Sequence, residues 1–119
     1  MKKLIFLTLT ILQITSQAAP QYHHPQAFLD SIKNDKHAGE KIYQHYCVSC
    51  HAKEPMIPLG APRVGVNSDW EGRLSRDLNA MLKRIDAGFG TMPPRGGCFE
   101  CSDKQLKAAI AYMLPKSKS

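Results

Sequence analysis

Apolar residues recur at helical spacing in four segments of the chain, and no segment shows the apolar and polar alternation of a half-buried strand. Ser102 and Asp103 are suitable N-cap residues for the last segment. The pattern therefore predicts an all-α fold. The predicted helical segments are 27–46, interrupted over 34–39; 67–74; 78–85, stopped by Gly88; and 103–113, stopped by Pro115.

Two segments between these helices are too rich in proline and glycine for any regular element. Residues 53–66 and 88–97 together contain five of the eight prolines and six of the eight glycines. Loops of this length are unusual in so short a chain. They indicate that the loops wrap around something other than protein.

Residues 1–18 have the three-part pattern of an export signal. Lys2 and Lys3 precede an apolar run over 4–14, and Ser16-Gln17-Ala18 is a small-x-small cleavage site. The run is shorter than the roughly 20 residues that a membrane-spanning helix needs, so cleavage is favoured over a retained anchor. The predicted organisation is a signal peptide over 1–18, a linker or N-terminal arm over 19–37 and one domain over 38–119.

The number and the distribution of charged residues indicate which kind of partner the protein binds. The sequence carries a net charge of +6, and without Lys2 and Lys3 it has 14 basic and 10 acidic residues, a net charge of +4. The basic residues are scattered rather than clustered, unlike those of a nucleic-acid-binding surface. An acidic protein partner fits this distribution better.

The segment Cys47-Val48-Ser49-Cys50-His51 carries the most specific chemistry, because C-x-x-C-H is the attachment signature of c-type haem. In a helical turn, positions i, i+3 and i+4 share one face, so both cysteines and His51 can point at one flat ligand. The cysteines would form thioethers to the haem, and His51 would be an axial ligand of the iron. The other ring nitrogen of His51 then needs an acceptor, for which the Pro62 carbonyl is the first candidate and that of Pro58 the second.

A second iron ligand is expected from the methionines. Met56 lies too close to His51 in sequence to reach the opposite face, whereas Met81 and Met113 occupy apolar helical positions. Met92 lies in a loop and is followed by two prolines that restrict its backbone, so we predict it as the second axial ligand. His23 and His24 are the alternatives.

The second C-x-x-C pair, Cys98 and Cys101, is followed by Ser102 and is not a second haem motif. An exported chain favours a disulfide here over a redox-active dithiol, which would need a βαβ context. A zinc ribbon made from all four cysteines is disfavoured by the long separation of the two pairs. Trp70 has two readings, as a donor to a haem propionate and as a core residue.

These residues resemble the class I c-type cytochromes, and more narrowly the cytochrome c5 group, over residues 39–114. The resemblance implies a small fold in which helices and long loops wrap around one covalent haem c. It also implies helices at the two ends of the domain that cross where the small Gly39 lets an aromatic ring approach. The matching positions are Gly39 and Tyr43, Cys47–His51, residues 60–62 with Trp70, residues 92–98 with Cys101, and Tyr112.

The family implies a periplasmic carrier of single electrons between respiratory redox proteins. With His51 and Met92 on the iron, no position is open to a substrate, so we expect a monomeric carrier rather than an enzyme. The alternatives are a peroxidase-like or gas-binding haem protein without a Met92 ligand, and a subunit held in a larger redox enzyme. The cations expected around the haem edge are Lys53, Arg63, Lys83 and Arg95.

Overall fold

A computed structural model describes residues 24–116. Within that part of the chain six α-helices form, and there is no strand. A π-helical turn, Tyr43–Cys47, joins α2 to α3, and a 3₁₀ turn, Pro94–Gly97, lies between α5 and α6. The helices are α1 Pro25–Ser31, α2 Ala38–Ile42, α3 Val48–His51, α4 Asn67–Trp70, α5 Leu78–Ala87 and α6 Asp103–Met113.

The two longest helices begin and end at local signals. The Asp77 carboxylate accepts the Ala80 N–H at the start of α5, and Gly88 ends this helix with a φ of 78°. At the start of α6, the Ser102 hydroxyl accepts the Gln105 N–H, and the Gln105 amide oxygen accepts the Ser102 N–H. This reciprocal capping box satisfies two backbone donors that the helix itself leaves free.

The core lies around α6, whose buried face packs on α2 and α5. Gly39 of α2 is buried directly against the backbone of α6, because a Cβ atom at this position would lie 2.3 Å from the Ala108 carbonyl oxygen. One turn along, the rings of Tyr43 and Tyr112 pack at 5.1 Å. The helices therefore cross at Gly39 backbone to backbone, and the aromatic contact lies beside the crossing.

Part of the predicted arm belongs to this core. Leu29 of α1 and the adjacent Ile32 are each 2% exposed and join the same buried cluster as Leu106 and Ile110. The core thus extends beyond the boundary predicted at residue 38. The predicted signal peptide, residues 1–18, lies outside the described residues. Over 24–116, no helix is long and apolar enough to cross a membrane.

Candidate haem site

A cavity of about 510 Å³ opens between α3, α6 and the two proline-rich loops. Cys47, Cys50 and His51 line it on the side of α3, and Met92 lines it on the side of the loop that follows α5. The remaining wall is largely apolar. It includes Ile57, Leu59, Ile85, Phe89, Leu106, Ala109, Ile110 and Met113.

His51 is held in a defined orientation. Its ring is buried, with 7% exposed, and Nδ1 lies 2.8 Å from the Pro62 carbonyl oxygen. A carbonyl oxygen only accepts, so Nδ1 carries a proton, and the lone pair of a neutral ring then lies on Nε2. This is the tautomer that a metal-ligating histidine needs, and Pro62 is the acceptor expected from the sequence.

The loop that carries Pro62 is fastened on both sides. The Val64 N–H donates to the His51 carbonyl at 2.7 Å. Arg63 binds the Asp69 carboxylate through its side chain at 2.7 and 3.1 Å and through its backbone N–H at 3.0 Å. The Arg63 guanidinium, as the main cause, holds the pKa of the Asp69 carboxyl well below its usual range. These contacts fix the position of the Pro62 carbonyl relative to α3.

Trp70 serves this loop rather than the cavity. Its indole N–H donates to the Arg63 carbonyl at 2.8 Å, and its ring is 5% exposed in a small cluster with Tyr43 and Met113. Trp70 does not line the cavity formed by the described residues. Of its two readings, the geometry matches the core residue, because the donor that a propionate would need is already engaged.

The two cysteines of the motif are unpaired thiols on the cavity wall. Burial, and then the charge of Cys50, raises the pKa of the Cys47 thiol to about 11. At neutral pH this thiol is therefore protonated. A metal thiolate or a redox-active dithiol needs a lowered pKa, so the raised pKa of Cys47 counts against both.

Cys98 and Cys101 form a disulfide between the Met92 loop and α6. Both residues are buried in the core, with 0% and 3% exposed. The disulfide withdraws two of the four sulfurs that a zinc ribbon would require. Among residues 24–116, no three His, Cys, Asp or Glu side chains cluster in a way that would hold a metal ion.

Met92 is half-buried in a tight turn after α5. The backbones of Phe89 and Met92 exchange two hydrogen bonds, of 3.1 and 2.9 Å. Gly88 permits this turn, because a Cβ atom there would lie 2.9 Å from the Met92 carbonyl oxygen. The other methionines differ: Met56 is 87% exposed, Met81 is buried in the core, and Met113 lines the cavity from the buried face of α6. The alternative ligand His24 is exposed and does not line the cavity, and His23 lies outside the described residues.

The sequence analysis gave no cavity role to Tyr46 or to Arg73. Tyr46 lines the cavity, and its hydroxyl is buried with no hydrogen-bond partner. Arg73 lines it as well, with one guanidinium N–H donated to the Asp69 carbonyl. An orphaned hydroxyl, an apolar wall, two thiols and an imidazole with a free lone pair together fit a haem. The position of Tyr46 next to the first cysteine was the one available signal.

Comparisons with known proteins identify the family of this chain. A family model described as cytochrome c oxidase, cbb3-type, subunit III matches residues 34–113. Cytochrome c-555 of Chlorobaculum tepidum is 34% identical over 88 residues, which cover 71% of this chain and 79% of that protein. Cytochrome c5 of Azotobacter vinelandii is 37% identical over 78 residues, which cover 64% of this chain and 90% of the relative.

Solved structures show the same likeness. A cytochrome c in an electron-transfer complex with nitrite reductase matches with a TM-score of 0.57 and 41% identity, over 64% of this chain and 89% of the other. A mono-haem ferrocytochrome c from Shewanella putrefaciens matches with a TM-score of 0.56 and 39% identity, over 63% and 89%. Both sequence identities are high enough to indicate membership of the same family as well as a shared fold.

Proposed function

Since the chain belongs to the class I c-type cytochromes, we propose that it carries single electrons between respiratory redox proteins in the periplasm. Its relatives are electron carriers and not enzymes, and the chain is likewise a haem-binding electron carrier with one covalently bound haem c. Periplasmic location, axial ligation by His51 and Met92, and the choice of partner belong to the proposal.

One observation carries the proposed ligation. The Nδ1 proton of His51 is committed to the Pro62 carbonyl, and the same cavity receives Cys47, Cys50 and Met92. The bound haem supplies an iron that changes between Fe³⁺ and Fe²⁺ as one electron arrives or leaves. Each cysteine would add its sulfur and its hydrogen across one vinyl C=C bond, which needs neither an oxidant nor a leaving group. His51 would bind the iron through Nε2.

Met92 would complete the coordination from the opposite loop. A thioether stabilises the ferrous state, so His/Met ligation gives a comparatively high reduction potential. With both axial positions filled by protein, the chain offers no site at the metal for a substrate. Its own contribution is to hold the two ligands and to exclude water with the apolar wall.

The docking surface we propose is narrower than the sequence indicated. Arg63 is paired with Asp69, and Arg95 is paired with Asp86 and Asp103, so neither charge is free to face a partner. Lys53 and Lys83 are exposed and form no ion pair with the residues that the structure describes. These two lysines remain as docking cations for an acidic face on a redox partner.

The proposed location rests on two features. The first is the export pattern over residues 1–18. The second is the disulfide between Cys98 and Cys101, since such bonds persist in the periplasm and not in a reducing cytoplasm. Mass spectrometry of the mature protein would test the location by showing cleavage after Ala18.

Replacing Met92 with alanine tests the ligation. The wild-type protein should show the weak sulfur-to-iron charge-transfer band when oxidised and should not bind carbon monoxide when reduced. Met92→Ala should lose the band, bind carbon monoxide and have a lower reduction potential, because one axial position becomes vacant. A wild-type protein without the band would instead support a haem enzyme with an open sixth position.

Two control variants separate ligation from packing. Met113→Leu replaces the other methionine on the cavity and should leave the band and the potential unchanged, because a similar volume is kept. Met81→Ala removes a buried core side chain and should cost roughly 2–5 kcal/mol of stability without altering the iron spectrum. Loss of the band in Met113→Leu but not in Met92→Ala would transfer the ligand role to Met113.

The description of the matching family model favours a second candidate function, that of an electron-transfer subunit held in a larger oxidase. Gel filtration of the native cell extract separates the two possibilities. A free carrier elutes at the mass of the mature monomer, whereas a subunit elutes with its enzyme.

A further inference from the structure

Arg95 is the most heavily engaged charged side chain near Met92. Its guanidinium binds the carboxylate of Asp86, the carbonyl oxygen of Cys101 at 2.7 Å and the carboxylate of Asp103 at 3.1 Å. Only 20% of the side chain is exposed. Arg95 also lines the cavity. A side chain held in this way cannot reorient toward a docking partner.

The three acceptors lie on three different segments. Asp86 is in the last turn of α5, Cys101 belongs to the disulfide turn, and Asp103 is the first residue of α6. Asp86 lies just before the loop that presents Met92, and Cys101 and Asp103 lie just after it. One guanidinium therefore ties the middle of the loop to both of its ends, and only the forked geometry of arginine reaches three acceptors together.

The backbone of Arg95 supports this reading. Its φ of 55° is left-handed, and among the described residues no other non-glycine residue has a positive φ. A left-handed conformation is unfavourable for a residue with a Cβ atom and persists where the surroundings impose it. Gly96 and Gly97, which follow, also have positive φ, so glycine would suit the backbone at 95 better than arginine does. The side-chain contacts outweigh this local cost.

We propose that Arg95 is a positioning residue that keeps the Met92 thioether directed into the cavity, a proposal that rests on the ligand role of Met92. The Met92 turn has little regular structure of its own, with one pair of backbone hydrogen bonds to Phe89. Without the Arg95 contacts, the loop would sample conformations in which the sulfur leaves the iron. The ferric state would show this first, because a thioether binds ferric iron less favourably than ferrous iron.

The test compares four variants of the holoprotein. Arg95→Gln removes the charge and the three-way contact, and Arg95→Lys keeps the charge but cannot form the fork. Arg95→Gly also removes the contacts but relieves the left-handed backbone. Lys104→Gln is the matched control, because it removes one positive charge from an exposed position in the first turn of α6.

The readouts are the charge-transfer band of the oxidised protein, its reduction potential and its affinity for imidazole. In Arg95→Gln and Arg95→Gly the charge-transfer band should weaken and the reduction potential should fall. Imidazole should bind more tightly, because it binds only when the loop is open. Its affinity should rise by the same factor as the population of the open loop conformation. Arg95→Lys should be intermediate, and Lys104→Gln should match the wild type. Combining Asp86→Asn with Arg95→Gln should add less than the two single effects together.

Three results would overturn the proposal. If Arg95→Gln lowers only the melting temperature and leaves the band, the potential and the imidazole affinity unchanged, Arg95 stabilises the fold without positioning Met92. A normal Arg95→Gly beside an impaired Arg95→Gln would assign the effect to the backbone. If Arg95→Gln yields no holoprotein, wild-type readouts in Arg95→Lys would count against positioning. Absence of the band in the wild type would instead refute Met92 ligation itself, which distinguishes the two failures.

Discussion

At the scale of single residues, Gly39 shows how little space a helix crossing leaves. Alanine is usually better than glycine inside a helix by about 0.5–1 kcal/mol, because glycine loses more backbone freedom on folding. Here the added methyl group would lie 2.3 Å from the Ala108 carbonyl oxygen and 2.6 Å from its carbonyl carbon. Backbone atoms cannot rotate away as a side chain can. The steric overlap therefore outweighs the better helix propensity of alanine, and the substitution should lower the stability.

We therefore predict that Gly39→Ala destabilises the holoprotein by roughly 1–3 kcal/mol or more, the range for overpacked cores. The measurement is the free energy of unfolding in guanidinium chloride. Gly72→Ala is the control, since a Cβ atom there meets nothing within 4 Å and the backbone is not left-handed. Equal stability of Gly39→Ala and the wild type would mean that α2 and α6 do not cross this closely.

Residues whose partners are close in sequence were the predictable ones. Cys47, Cys50 and His51 share a helical face by their spacing alone, and the structure places all three on the cavity. The Pro62 carbonyl followed from the need of His51 for an acceptor. Arg95 was instead expected to be a docking cation, because its acceptors at Asp86 and Asp103 come together only in the folded chain.

At the scale of elements, α1 differs from the linker or arm expected before residue 38. Leu29 and Ile32 are as deeply buried as Ala109 and Ile110 of α6. Phe28 adds a stacked contact with His45 at 4.4 Å, next to the haem motif. The helix thus forms part of the wall behind the π-helical turn that leads into Cys47.

We predict that Leu29→Ala costs roughly 2–5 kcal/mol of stability, the range for truncating a buried leucine. Lys33→Ala, an exposed change four residues further on, should stay within about 0.5 kcal/mol of the wild type. Thermal unfolding of the oxidised holoprotein compares the two. If Leu29→Ala unfolds like Lys33→Ala, α1 is an appendage and the domain begins later.

The helices themselves could be predicted where their ends are coded locally. Gly88 and Pro115 gave the ends of α5 and α6, and Ser102 gave the start of α6. The attachment of α1 could not be predicted, because its short apolar pattern does not reveal what it packs against. Its partner Leu106 lies more than seventy positions away in the sequence.

At the scale of the whole molecule, the family resemblance is confirmed by the relatives and by the structural matches. Fold class and cofactor follow from that membership. The docking surface could not be predicted in the same way, because a count of basic residues does not say which of them are already paired with acidic residues. Arg63 and Arg95 contribute to the net charge of +6, but both donate hydrogen bonds to carboxylates of the same chain.

The net positive charge of the chain can be tested through the salt dependence of its reaction with charged oxidants. Without the predicted signal peptide the chain would carry +4, reduced in part by the carboxylates of a bound haem. Added salt shortens the screening length from about 30 Å at 0.01 M to about 8 Å at 0.15 M. Oxidation of the reduced protein by the anion ferricyanide should therefore slow as salt rises, by up to about tenfold. With a cationic cobalt(III) complex as oxidant, the rate should rise instead.

Lysine variants locate this field. In stopped-flow measurements, Lys53→Gln and Lys83→Gln should each lower the ferricyanide rate at low salt and flatten its salt dependence. Replacing both members of the Arg63–Asp69 ion pair, as Arg63→Gln with Asp69→Asn, should change this rate less, because the pair that is removed carries no net charge. A ferricyanide rate that ignores salt, or that falls most in this double variant, would show that electrons leave through a surface other than the one bearing the two lysines.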